Sequence, residues 1–134
     1  MKITCLLLDD DPLVLDLLQA YAVMSDKLEV KGAFTDPLEA YRYLSQNPVQ
    51  VLFSDVAMPH LSGLDLIRAL RRPPLVVLMT SYPQYAMEAF NLDVIDFLLK
   101  PLSYNRFLQA VAKVQDMLPM ATALVTPSPL VRVS

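Results

Sequence analysis

The chain has 134 residues, of which 54% are hydrophobic and 19% charged, with a net charge of -3 and a pI near 4.9. That length suits one domain with a real core, and the composition excludes a disordered chain. With no lysine or arginine block, the acidic chain is a poor candidate to bind nucleic acid by itself. The one cysteine, Cys5, sits in an apolar run and cannot form an internal disulfide, so it reads as a small buried hydrophobe. The N-terminus MKITCLLLDDD has about six apolar residues before its acids, too few for a signal peptide or a membrane span, and the expectation is a soluble cytoplasmic protein.

ITCLLL is a short continuous apolar run and reads as a buried strand. Pro12 then opens a helix, along which Leu13, Leu17 and Tyr21 recur at i, i+4 and i+8. EVKGAFT, from Glu29, is a more polar second strand, expected near an edge. Asp36-Pro37 is a cap and first-turn pair for a short helix marked by Leu38, Tyr41 and Leu44. VQVLFSDV, from Val49, is a third strand, MPHLSG a loop, and Leu64, Ile67 and Leu70 share a face of a third helix closed by Pro73-Pro74. LVVLMT is the fourth strand, Pro83 to about Asn91 the fourth helix, and VIDFLL the fifth strand. The last helix spans Asn105 to Leu118, with Phe107, Val111, Val114 and Leu118 on its inner stripe. Residues 1–118 thus form the domain. Residues 119–134, with three prolines and one charge, read as a linker or partly ordered extension whose apolar residues leave open a short strand against a partner.

Five strand–helix units in alternation predict an α/β doubly wound fold with a parallel sheet, for which 2-1-3-4-5 is a common strand order. Ligands of such sheets bind at the carboxyl ends of the strands. There the first strand ends in Asp9 and Asp10, the third in Ser54 and Asp55, the fourth in Thr80 and Ser81, and the fifth in Lys100. Asp9, Asp10 and Asp11 taken alone read equally well as a helix cap. Set beside Asp55, they become a group of carboxylates that repel unless a cation holds them. Oxygen ligands of this kind suit a hard cation such as Mg²⁺. A lysine and a hydroxyl suit phosphoryl oxygens, and together these groups describe phosphoryl transfer to a carboxylate. His60 is the only histidine and is assigned no catalysis.

LLLDDDP, FSDVAMPHLSG, MTS and LLKP occur in that order, and the chain resembles the receiver domains of two-component response regulators from about residue 2 to 118. The resemblance implies a flavodoxin-like (βα)5 fold and phosphorylation of Asp55. It implies Mg²⁺ held by Asp10, Asp55 and the Ala57 main-chain carbonyl, with Asp9 acting through water. It also implies that Lys100 pairs with the phosphoryl group and that Thr80 and Phe97 form the switch pair. The Lys100-Pro101 bond is then expected to be cis. Asp11 is left a minor role. Ala57 and Tyr82 flank the reaction and are expected to tune phosphate lifetime.

TSYPQYAMEAFNLDVIDFLLKPLSYNRF further resembles receivers attached to LytTR-type DNA-binding domains. A sensor histidine kinase is the implied partner. A homodimer through the fourth helix, fifth strand and last helix is a further expectation. DNA would be reached only through an output domain outside this chain. The domain would catalyse its own phosphorylation and dephosphorylation without being a turnover enzyme. Two other functions compete. Asp9-Asp10-Asp11 has the Asp-x-Asp spacing of a haloacid-dehalogenase-like phosphatase, but no later acidic pair follows the lysine and there is little room for a substrate cap. A receiver that binds partners without phosphorylation is the third.

Overall fold

The computed structural model describes residues 1–125, with side chains through residue 118. Five strands alternate with five helices: β1 Ile3–Leu8, α1 Pro12–Ser25, β2 Leu28–Phe34, α2 Pro37–Gln46, β3 Val51–Asp55, α3 Gly63–Ala69, β4 Leu75–Thr80, α4 Ala86–Asn91, β5 Asp96–Leu99 and α5 Tyr104–Val125. The strands form one parallel sheet in the order β2-β1-β3-β4-β5, as the alternation predicts, with β2 at an edge.

Alternate strand residues feed two cores, one on each face of the sheet. Cys5, Leu7, Val51, Phe53, Val77, Met79 and Leu98 pack against Leu15, Leu18 and Ala22 of α1 and Phe107, Val111 and Val114 of α5. Leu6, Leu8, Leu52, Val76 and Leu78 pack against α2, α3 and α4 through Ala40, Leu64, Leu66, Ile67 and Ala89. Burial pushes the Cys5 thiol up to about 12, helped by the nearby Glu29 charge, so it serves the core as an inert hydrophobe. Each fully buried leucine or phenylalanine here contributes roughly 1.5–3 kcal/mol of transfer free energy.

The stripe expected on α1 is corrected. Leu13 is 77% exposed and Leu17 38%, whereas Leu15, Leu18 and Ala22 face the sheet. The helix carries leucines at positions 13, 15, 17 and 18, so apolar spacing alone fits two faces, and the sheet selects one. Tyr21 is half-buried beside the core. On α2, Leu38 likewise faces solvent while Pro37 and Ala40 are buried. On α3, Leu64, Ile67 and Leu70 are buried together as read.

Other boundaries shift by a few residues. β3 begins at Val51 and β5 at Asp96. The fourth helical segment opens with a 3-10 turn, Pro83–Tyr85, before the short α4. α5 runs on to Val125, through Pro119, where helix was expected to stop at 118. The linker reading of residues 126–134 lies outside the described residues. No described helix is long and apolar enough to cross a membrane.

Candidate phosphoacceptor site

Registered pairing brings the polar strand ends together. Leu8 pairs with Ser54, Asp55 with Met79, and Thr80 with Leu99, so Asp9, Asp55, Thr80 and Lys100 emerge along one edge of four contiguous strands. The three acids that open α1 take different jobs. Asp11 is the helix cap, its Oδ1 accepting from the Leu13 N–H at 2.9 Å. Asp9 is fully buried, and its Oδ1 accepts from the Asp11 N–H at 2.9 Å. Asp10 is exposed at the mouth.

Asp9, Asp10 and Asp55 each offer a carboxylate oxygen, and these lie within 4.8 Å of one another. Among the described residues Lys100 is the one cation at the cluster, with Nζ at 2.7 Å from Asp9 Oδ2 and 3.4 Å from Asp55 Oδ1. Burial pushes the Asp55 carboxyl up to about 7, the Asp9 charge pushes the same way, and Lys100 opposes both. Burial alone would lower the Lys100 ammonium, but Asp9 and Asp55 outweigh it and hold it above its ordinary value. Three carboxylates facing one ammonium leave an excess of negative charge. The donor set is all oxygen, which fits a hard divalent cation such as Mg²⁺. Asp9, Asp10 and Asp55 are the side chains that would hold it.

Thr80 is fully buried, and its Oγ1 accepts from the Tyr82 N–H at 3.1 Å. Its carbonyl accepts from the Lys100 N–H at 2.8 Å. Ala57 is half-buried, two residues past Asp55 in the loop to α3. Phe97 is half-buried and pairs with Leu78 on the face packed by α2, α3 and α4. The Lys100-Pro101 bond is cis, as expected. A cleft of about 520 Å³ lined by Asp10, Asp36, Pro59 and His60 opens beside the acids. His60 itself adopts a left-handed backbone, φ 74°, in the loop after Asp55.

Three features were missed from sequence. A Cβ on Gly63 would lie 2.3 Å from the Asp55 carbonyl oxygen, so this glycine lets α3 start directly against the end of β3. The glycine eight positions after Asp55 was the available signal. The second is an ion cluster behind the site: Arg106 grips Asp96 through two bonds of 2.7 and 2.8 Å, and Lys113 lies 3.2 Å away. The third is a bond from Tyr21 to the loop after Lys100. Spacing in the sequence points to neither pairing.

The family model of the response regulator receiver domain matches residues 5–112. The chain belongs to this family. The receiver is 30% identical over 131 residues to an uncharacterised response regulatory protein of Shewanella oneidensis, covering 96% of this chain and 56% of that protein. It is also 30% identical over 116 residues to the transcriptional regulatory protein BtsR of Escherichia coli, covering 85% of this chain and 48% of that one. The receiver thus spans about half the length of the curated relatives it matches. Among solved structures it resembles the receiver domain of AraT from Geobacillus stearothermophilus, with a TM-score of 0.82, 30% identity, and coverage of 91% of this chain and 99% of that one. The response regulatory domain of mrkE from Klebsiella pneumoniae gives a TM-score of 0.79 at 26% identity, covering 85% of this chain and 96% of that one.

Proposed function

We propose that the receiver accepts a phosphoryl group on Asp55 from the phosphohistidine of a sensor kinase. The observation that carries this reading is the placement of Asp55, buried at the floor of a three-carboxylate cluster with a single ammonium 3.4 Å away. An Asp55 carboxylate oxygen attacks phosphorus, the P–N bond to the donor imidazole breaks, and the imidazole leaves as the Asp55 acyl phosphate forms. Lys100 neutralises phosphoryl charge, and Thr80 turns its hydroxyl toward a phosphoryl oxygen. Asp10, Asp55 and the Ala57 carbonyl, with Asp9 through water, would hold Mg²⁺, which would supply the remaining positive charge.

The output follows from surfaces away from the acceptor. Phe97 moves with Thr80 and alters the α4–β5–α5 face, where Met87, Phe90, Leu99 and Met117 are exposed and can be covered by a second copy or an output domain. The exposed strip of Leu13, Leu17 and Met24 on α1 begins beside the acids and gives an incoming kinase an apolar edge to rest on. The LytTR-like segment and the likeness to a transcriptional regulator support a role in transcription control, with DNA contacted by a separate output domain. A bacterial cytoplasm is the compartment that fits.

Intact mass after incubation with Mg²⁺ and acetyl phosphate tests the chemistry. One phosphoryl group should be gained, lost with EDTA and absent in Asp55→Asn. An equal gain in Asp55→Asn would refute the acceptor assignment. Phosphate released steadily from a generic phosphomonoester would instead favour a phosphatase.

A further inference from the structure

Lys100 can act on Asp55 only if the short segment around it is held still. One side of that segment is fixed by the sheet, where the Lys100 N–H donates to the Thr80 carbonyl at 2.8 Å. The other side is fixed from α1. The Tyr21 hydroxyl crosses 81 positions of sequence to donate to the Leu102 carbonyl at 2.8 Å. Leu102 is buried, and the phenol supplies its part-buried carbonyl with a partner. Among the described residues this is the sole side-chain hydrogen bond from α1 to the loop.

The ring of Tyr21 is held as firmly as its hydroxyl. It lies 5.4 Å from Tyr104 and 5.6 Å from Phe107, and Phe107 stacks at 5.2 Å on Phe53, two residues before Asp55. The same aromatic chain therefore touches the loop that carries Lys100 and the strand that carries the acceptor. We propose that Tyr21 is a positioning residue for Lys100: its hydroxyl pins the Leu102 carbonyl, and that loop sets how closely the ammonium approaches Asp55. The positioning stands on geometry alone; its effect on phosphorylation rests on the function proposed above.

The test is Tyr21→Phe, which keeps the ring and removes only the hydroxyl. In metal-free protein, the NMR signal of the methylene next to the Lys100 ammonium should move in the variant. With acetyl phosphate at saturating Mg²⁺, the maximal rate of Asp55 phosphorylation should fall about fivefold to tenfold, while Mg²⁺ affinity stays unchanged. In a Lys100→Ala background the same substitution should change the residual rate by less than about twofold, because Tyr21 acts through Lys100. An unmoved Lys100 signal would overturn the proposal. So would equal rate losses in both backgrounds, or a matching loss of Mg²⁺ affinity. If the wild type takes no phosphoryl group at all, the phosphoacceptor reading fails, and the Lys100 signal still decides the role of Tyr21.

Discussion

Replacing Asp55 with asparagine should stabilise the protein, and more so as pH rises. The folded state holds the Asp55 carboxyl at about 7, against an ordinary value of 3.8. An acid raised in this way binds its proton more tightly folded than unfolded. Its contribution to stability is complete below the unfolded value and is lost as pH climbs through about 7. The full shift corresponds to roughly 4 kcal/mol of destabilisation above neutrality, an upper bound for a dry site. The mouth is open at Asp10, and solvent screening brings the expectation to about 1–2 kcal/mol. Asparagine keeps the shape and removes the charge, leaving Lys100 paired to Asp9 at 2.7 Å. The variant should therefore melt roughly 3–8 °C above wild type at about pH 8, with the gap closing only as pH falls to the unfolded value near 3.8. Parallel thermal melts across that range measure this. A stability difference that is flat with pH would refute the reasoning, because only titration of Asp55 predicts the slope. Added Mg²⁺ should raise the melting point of wild type by mass action, and much less that of the variant.

Gly63→Ala should destabilise by about 1–3 kcal/mol in urea melts and slow phosphorylation as well, since its new methyl would push on the Asp55 carbonyl oxygen from 2.3 Å. Leu18→Ala should cost about 2–4 kcal/mol and Leu13→Ser less than about 0.5, because only Leu18 is in the core; equal costs would contradict the α1 orientation. Asp96→Asn should cost about 1–2 kcal/mol at neutral pH by weakening the Arg106 and Lys113 contacts, measured by chemical denaturation.

The fold was legible because the strands of a doubly wound sheet are nearly continuous apolar runs, and LVVLMT and ITCLLL declare themselves. The site was legible because its residues stand at strand ends, so strand order alone brings Asp9, Asp55, Thr80 and Lys100 together. What failed to show was which way α1 and α2 roll, whereas the stripes of α3 and α5 were legible. α1 is leucine-rich on two faces, and only contact with Phe107 and the sheet decides that Leu15 and Leu18 go inward. Three-dimensional pairings of single polar residues, such as Tyr21 with Leu102 or Asp96 with Arg106, leave no periodic trace. The end of α5 was misplaced for another reason. Pro119 lacks the N–H that a helix interior uses, a sound stop signal that the chain nonetheless passes.

Two buried carboxylates make the physical difference between a site and a strut visible in one molecule. Burial raises both. At Asp96 the opposing groups are two cations, Arg106 and Lys113, plus the Phe97 N–H, and they win, holding the carboxyl below its ordinary value. At Asp55 the neighbours are two carboxylates and one ammonium, and burial wins. The linkage signs are therefore opposite. Asp96 lends stability above its unfolded value and loses it as pH falls through its depressed one, so the Asp96→Asn penalty should shrink as pH falls below the ordinary carboxylate value. Asp55 loses stability in the other direction, between about 4 and 7. A carboxylate already neutralised by its neighbours has nothing left to offer a ligand. One left with an excess of negative charge around it gains from any cation that arrives, and below about pH 7 that cation must displace a proton from Asp55. Isothermal titration in two buffers of different ionisation enthalpy should thus find Mg²⁺ binding coupled to proton release near pH 6, with the release fading toward about pH 8. A proton count of zero at both values would mean that Asp55 is already ionised and that the cluster's charge is balanced by something other than a proton.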